Sequence, residues 1–125
     1  MTLERRRYLR VIPDPARPVE VQIMGPGFLE IVNAVNVSVG GIGVYIPHGL
    51  DIQYLNKPVE VILTLPRCRP VHLRGIIRHL DGYSDPCHLG VEFARLTEPV
   101  QAALERFVTV NQHRPYEPPA GGSGG

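Results

Sequence analysis

Tryptophan is absent from the 125 residues, and only 6% of them are aromatic. A surface that reads single strands through a ladder of stacked rings has little to build with here. An excess of charge is also missing: 13 Lys and Arg against 12 Asp and Glu leave a formal net charge of +1. A general nucleic-acid binder carries a strongly basic domain, so a polymeric nucleic acid is not the expected partner. Cysteines number two, Cys68 and Cys87, and neither stands in a CxxC pair. Two ordinary thiols in a reducing compartment are expected rather than a disulfide framework. No apolar run approaches the roughly 20 residues that span a bilayer, and no apolar stretch of the signal-peptide kind follows the basic start. These absences lead to the expectation of a cytoplasmic protein that does not insert into membranes. The five histidines, His48, His72, His79, His88 and His113, show no HExxH or HxH spacing. They read as surface or strand residues, with no metal site and no cofactor expected. No Ser/His/Asp order, paired acids or P-loop stands out, so catalysis is not expected.

What is present is mostly β. In 19–23, Val19, Val21 and Ile23 alternate with Glu20 and Gln22. In 59–65, Val59, Val61, Leu63 and Leu65 alternate with Glu60, Ile62 and Thr64, and in 89–93, Leu89, Val91 and Phe93 oppose Glu92. A period of two marks half-buried strands. The segments 28–37, 41–46 and 71–80 read as three more, separated by turns rich in Gly and Pro. Six short strands with turns between them predict a closed barrel, because closure removes exposed edges. One helix is expected over 97–112: Thr97 is a candidate N-cap and Pro99 lies in the first turn. Val100, Ala103, Leu104, Phe107 and Val108 follow helical spacing, so their face is expected to lie on the barrel. The composition of 113–125, with its prolines and its final GGSGG, reads as a disordered tail or linker.

Charge is local where it is absent overall. Arg5, Arg6, Arg7 and Arg10 stand within six residues, and Arg6 and Arg10 make an RxxxR. A guanidinium is a planar fork of donors that matches phosphate oxygens, and equally the O6 and N7 acceptors of a guanine edge. A short basic arm is also a common solvated terminus. The second motif is NVSVGG, residues 36–41, at the turn between the second and third strands. Asn and Ser cap turns and also bind bases or phosphates, and glycines allow close backbone approach. Read alone, a plain β-turn explains it equally well.

Together, RxxxR followed by (D/N)xSxxG within a six-stranded barrel resembles the PilZ family. RGIIR at 74–78 and HLGVEF at 88–93 resemble that family's last two strands, and the likeness runs from residue 4 to about 110. The resemblance implies a mostly β fold, a six-stranded antiparallel barrel with a C-terminal helix, forming one domain over 1–112 in which 1–12 is a mobile ligand-binding arm. It implies a receptor for cyclic di-GMP, bound as one molecule or as a stacked pair. Arg6 and Arg10 would be the anchors, assisted by Arg5, with Asn36, Ser38 and Gly41 as the loop contact. Arg78 matches the position where relatives carry an Arg or Trp that packs on a guanine. Arg74, Ile76 and Arg78 share one strand face, opposite Leu73 and Ile77, and a solvated strand arginine is the competing reading. Ligand would order the arm, and the changed surface would be read by an output protein whose identity the sequence does not give. The rival within the same fold is a ligand-independent adaptor that works through protein contacts.

Overall fold

The computed structural model describes residues 9–117. Six strands, β1 (Glu20–Gly25), β2 (Phe28–Val37), β3 (Gly41–Ile46), β4 (Pro58–Thr64), β5 (Val71–Leu80) and β6 (Cys87–Phe93), close into an antiparallel barrel in the order β1-β2-β3-β6-β5-β4. The alternation expected from the sequence decides which side chains point inward. Val21 and Ile23, then Val59, Val61 and Leu63, then Leu89 and Val91, are buried in one core, while Glu20, Glu60 and Glu92 face out. Burying each such aliphatic side chain contributes about 1.5–3 kcal/mol. The β1–β2 turn passes through Gly27 at φ +88°, a conformation that glycine adopts without a steric penalty.

Two irregularities interrupt the alternation. The register of β2 on β3 shifts between Ala34 and Asn36, and that of β5 on β6 shifts between Ile77 and His79. Each is a β-bulge, an extra residue that re-aims the side chains beyond it. In β5 the inward set runs Leu73, Gly75, Ile77 and then Leu80, so both Arg78 and His79 face outward.

Helix α1 (Glu98–Val110) packs Leu104 and Val108 into the core, with Val100, Ala103 and Phe107 at its margin. Thr97 sits at the N-cap but its side chain makes no capping bond. At the other end the Asn111 side-chain amide donates to the Phe107 carbonyl at 2.9 Å.

The end of the basic arm is not a free strand. Val11 is fully buried and exchanges two backbone bonds with Val37, each 2.9 Å. On its other side, Ile12 N–H donates to Arg114 O at 2.8 Å, and Tyr116 N–H donates to Arg10 O at 2.8 Å. Residues 10–12 are therefore strapped between β2 and residues 114–116. This differs from the expected boundaries in two places. An arm mobile through residue 12 is fixed at 10–12, and a tail beginning at 113 is paired through 116. The physical reason is shared: each segment satisfies the other's backbone groups. No helix among the described residues is long and apolar enough to cross a membrane.

Candidate functional site

The bulge in β2 and the strap at 10–12 bring the two motifs together. Arg10 Nη1 donates to Asn36 Oδ1 at 2.7 Å, across 26 residues of sequence. Asn36 is 1% exposed, and its Nδ2 is buried without a partner among the described residues. It has room to lie there because Gly43 stands opposite in β3. A Cβ at Gly43 would meet Asn36 Nδ2 at 2.7 Å and His88 Nε2 at 3.0 Å. Gly43 itself pairs in regular register with Gly90, so its role is space and not a bulge.

Ser38, also 1% exposed, builds the β2–β3 turn. Its Oγ accepts from Gly40 N–H at 3.1 Å and Gly41 N–H at 3.0 Å, and donates to Gly41 O at 3.3 Å. The hydroxyl is thus committed to the loop. Gly41 lies so close to the Val91 carbonyl that a side chain there would collide with backbone.

Arg10, Ser38 and Gly40 form one side of a cavity of about 400 Å³, and Arg78, His79, Gly90 and Glu92 form the other. Arg78 is held at the rim: its Nε donates to Glu92 Oε1 at 2.7 Å and its Nη1 to Asn56 Oδ1 at 3.2 Å. Of the residues singled out in the sequence, Arg10, Ser38 and Arg78 line this cavity, while Asn36 is bonded to Arg10 and Gly41 to Ser38 behind it. Arg5 and Arg6 lie outside the described residues.

Three further residues, Glu92 and His79 in the cavity lining and His88 packed on His79, had no site role in the sequence reading. Glu92 anchors Arg78. His79 and His88 pack ring against ring, centroids 5.1 Å apart, with His79 Nε2 2.9 Å from Asp81 Oδ1. Burial lowers the proton affinity of His88 below the ordinary imidazole value, and the neighbouring His79 and Arg10 charges act the same way against Asp81. The available signal was the polar pair Arg78-His79 between apolar Ile77 and Leu80, which breaks the period of two.

The PilZ domain family model matches residues 4–109, and the chain belongs to that family. An uncharacterized protein of Aquifex aeolicus is 25% identical over 118 residues, covering 86% of this chain and 52% of that protein. Among solved structures, the Bacillus subtilis inhibitor of motility MotI/DgrA superposes with a TM-score of 0.72 at 24% identity, covering 87% of this chain and 51% of the other. The PilZ domain of Escherichia coli YcgR, solved with c-di-GMP, gives 0.68 at 14% identity, covering 87% and 92%. At these identities the superpositions establish the shared barrel. The chain spans about half the length of the Aquifex protein and of MotI/DgrA.

Proposed function

We propose that this domain is a cyclic di-GMP receptor that passes its signal to a separate output protein and catalyses nothing itself. The observation that carries the reading is the Arg10–Asn36 bond, which joins RxxxR to the (D/N)xSxxG loop at the edge of a cavity whose opposite rim holds Arg78. Membership of the PilZ family, and the c-di-GMP complex of the YcgR domain, support it.

The chemistry follows from the donors. A dinucleotide with two phosphates and two guanine edges calls for several forked cations, and guanidinium groups satisfy both kinds of acceptor. Arg10 is already oriented by Asn36, so little side-chain entropy is lost when it grips the ligand. Arg6 and Arg5 reach the ligand from the same arm. Arg78 offers a planar face on which a guanine stacks. Asn36 orients Arg10, while Ser38 and Gly41 shape the loop beneath. Ordering of the arm by these contacts alters the surface that the output protein reads. No nucleic-acid polymer is involved.

Calorimetric titration of cyclic di-GMP into the wild type and into Arg6→Ala/Arg10→Ala tests this. Saturable binding that disappears in the double variant is expected, and its stoichiometry separates one bound ligand from a stacked pair. Absence of binding to the wild type overturns the receptor reading in favour of a ligand-independent adaptor.

A further inference from the structure

We propose that His79, Asp81 and His88 form a binding site for a divalent transition-metal ion of the zinc class on the outer face of the β5–β6 hairpin. The site borders the cavity assigned to the nucleotide, which His79 also lines, and its test uses metal alone so that the two readings stand or fall separately.

Three observations carry it. First, one ligand atom from each of these side chains lies within 4.8 Å of the others. Around a tetrahedral zinc with bonds of about 2.0–2.2 Å, nitrogen and oxygen donors stand roughly 3.4 Å apart. Small torsions of the exposed His79 and Asp81 side chains close that difference. Second, the local fold produces the convergence. Without the bulge between Ile77 and His79, strict alternation would turn His79 toward the core. With it, His79 faces outward beside Gly90, on the same face as His88, and Asp81 follows two residues on. Gly90 keeps the space open: a Cβ there would meet His79 Cβ at 3.3 Å. Third, the cluster holds an uncompensated atom. Nε2 of His88 is shielded from solvent and has no hydrogen-bond partner among the described residues. Shielded polar atoms are nearly always paired, so this one, which lies over Gly43 beside the Asn36 amide, has bonding capacity left for a further group.

The donor set fits the ion. Two imidazoles and one carboxylate suit zinc, cobalt or nickel, and suit calcium or magnesium poorly. Asp81 supplies negative charge and lies 2.9 Å from His79 Nε2, a direct contact that a bound cation would replace. Three protein ligands leave a fourth position for water, the pattern of an open site.

The test is a cobalt(II) titration of the nucleotide-free protein, followed by visible absorption and then by displacement with zinc. It is run on the Cys68→Ser background, so that the exposed thiol does not compete. One equivalent should bind with the intense visible bands of a tetrahedral nitrogen and oxygen site, and zinc should abolish them. His79→Ala should weaken binding at least about tenfold, and His113→Ala should leave it unchanged. His79 is exposed, so its replacement leaves the core intact, which circular dichroism verifies. Failure to saturate at one equivalent, undiminished binding in His79→Ala, or a thiolate charge-transfer band would each overturn the proposal.

Discussion

Arg10 reaches across 26 residues to Asn36, donating from Nη1 to Oδ1 at 2.7 Å, while its own carbonyl accepts from Tyr116 N–H. Side chain and backbone are thus fixed by different elements. An arginine at the end of a basic arm ordinarily loses about 2 kcal/mol of rotamer freedom when it is immobilised. Here part of that loss is incurred on folding, before any ligand arrives.

The first prediction concerns this pre-orientation. Arg10→Ala should lower affinity for cyclic di-GMP at least tenfold, about 1.4 kcal/mol. Arg10→Lys should recover little, because an ammonium lacks the fork that bonds Asn36 and an acceptor together. Calorimetry on both variants checks this. Full affinity in Arg10→Lys would show that the position contributes charge alone.

The second separates loop building from ligand contact. Ser38 Oγ serves two backbone N–H groups of the β2–β3 turn, that of Gly41 buried and that of Gly40 part-buried. Ser38→Ala removes the acceptor and leaves the Gly41 N–H buried without it, at a cost of about 1–3 kcal/mol. Urea denaturation should show the unfolding free energy falling by that amount at an unchanged m-value. Loss of ligand affinity with unchanged stability would instead make Ser38 a direct contact.

How far the residues announced this arrangement differs by element. The strands were legible because alternation of Val, Leu and Ile with polar residues depends only on neighbours in sequence, and α1 was legible for the same reason. The two bulges were not, since a bulge is a property of register between strands. That is why His79 read as an isolated strand histidine, although the Arg78-His79 pair marked the spot. The strap was hidden for a similar reason. Arg114 and Tyr116 contribute backbone groups, and composition read their surroundings as linker. The motifs RxxxR and NVSVGG indicated the site, but only the fold joins Arg10 to Asn36 over Gly43.

The third prediction uses two glycines of one strand. Gly43→Ala would press on the ends of the Asn36 and His88 side chains, which can move. Stability should fall by about 1 kcal/mol or less, the low end for overpacking, while the Arg10–Asn36 bond is lost and affinity for cyclic di-GMP drops severalfold. Gly41→Ala would press on the Val91 carbonyl, which cannot move without disturbing β6. Its thermal midpoint should fall clearly further than that of Gly43→Ala. The reverse ranking would refute the role given to Gly43.

The fourth concerns Arg78. Its pairing with Glu92 is exposed on both sides, 52% and 59%, and solvent-exposed pairs contribute about 0–1 kcal/mol. Arg78→Ala should therefore be nearly neutral for stability yet reduce ligand affinity. Glu92→Gln, which releases the guanidinium from its counter-charge, should leave affinity equal or higher. A loss of affinity in Glu92→Gln matching that of Arg78→Ala would mean that the ion pair itself, and not the free arginine, supports the site.

The last prediction concerns pH and the two thiols. Cys87 faces the barrel interior and is fully buried, whereas Cys68 is exposed. Desolvation raises the Cys87 pKa, and the Asp81 carboxylate adds to the effect against the backbone hydrogen bonds that lower it. In the unfolded chain a thiol ionises near pH 8.5. The neutral thiol is thus favoured by the fold. Its contribution to stability is complete below the unfolded value and is lost as pH rises through the folded one. Denaturation midpoints should decline on the alkaline side of about pH 8.5, and less steeply in Cys87→Ala than in the wild type. Iodoacetamide at neutral pH should label Cys68 rapidly and Cys87 only after unfolding. Equal labelling of both thiols in the native protein would show that the β3–β6 wall opens far more readily than its paired register implies.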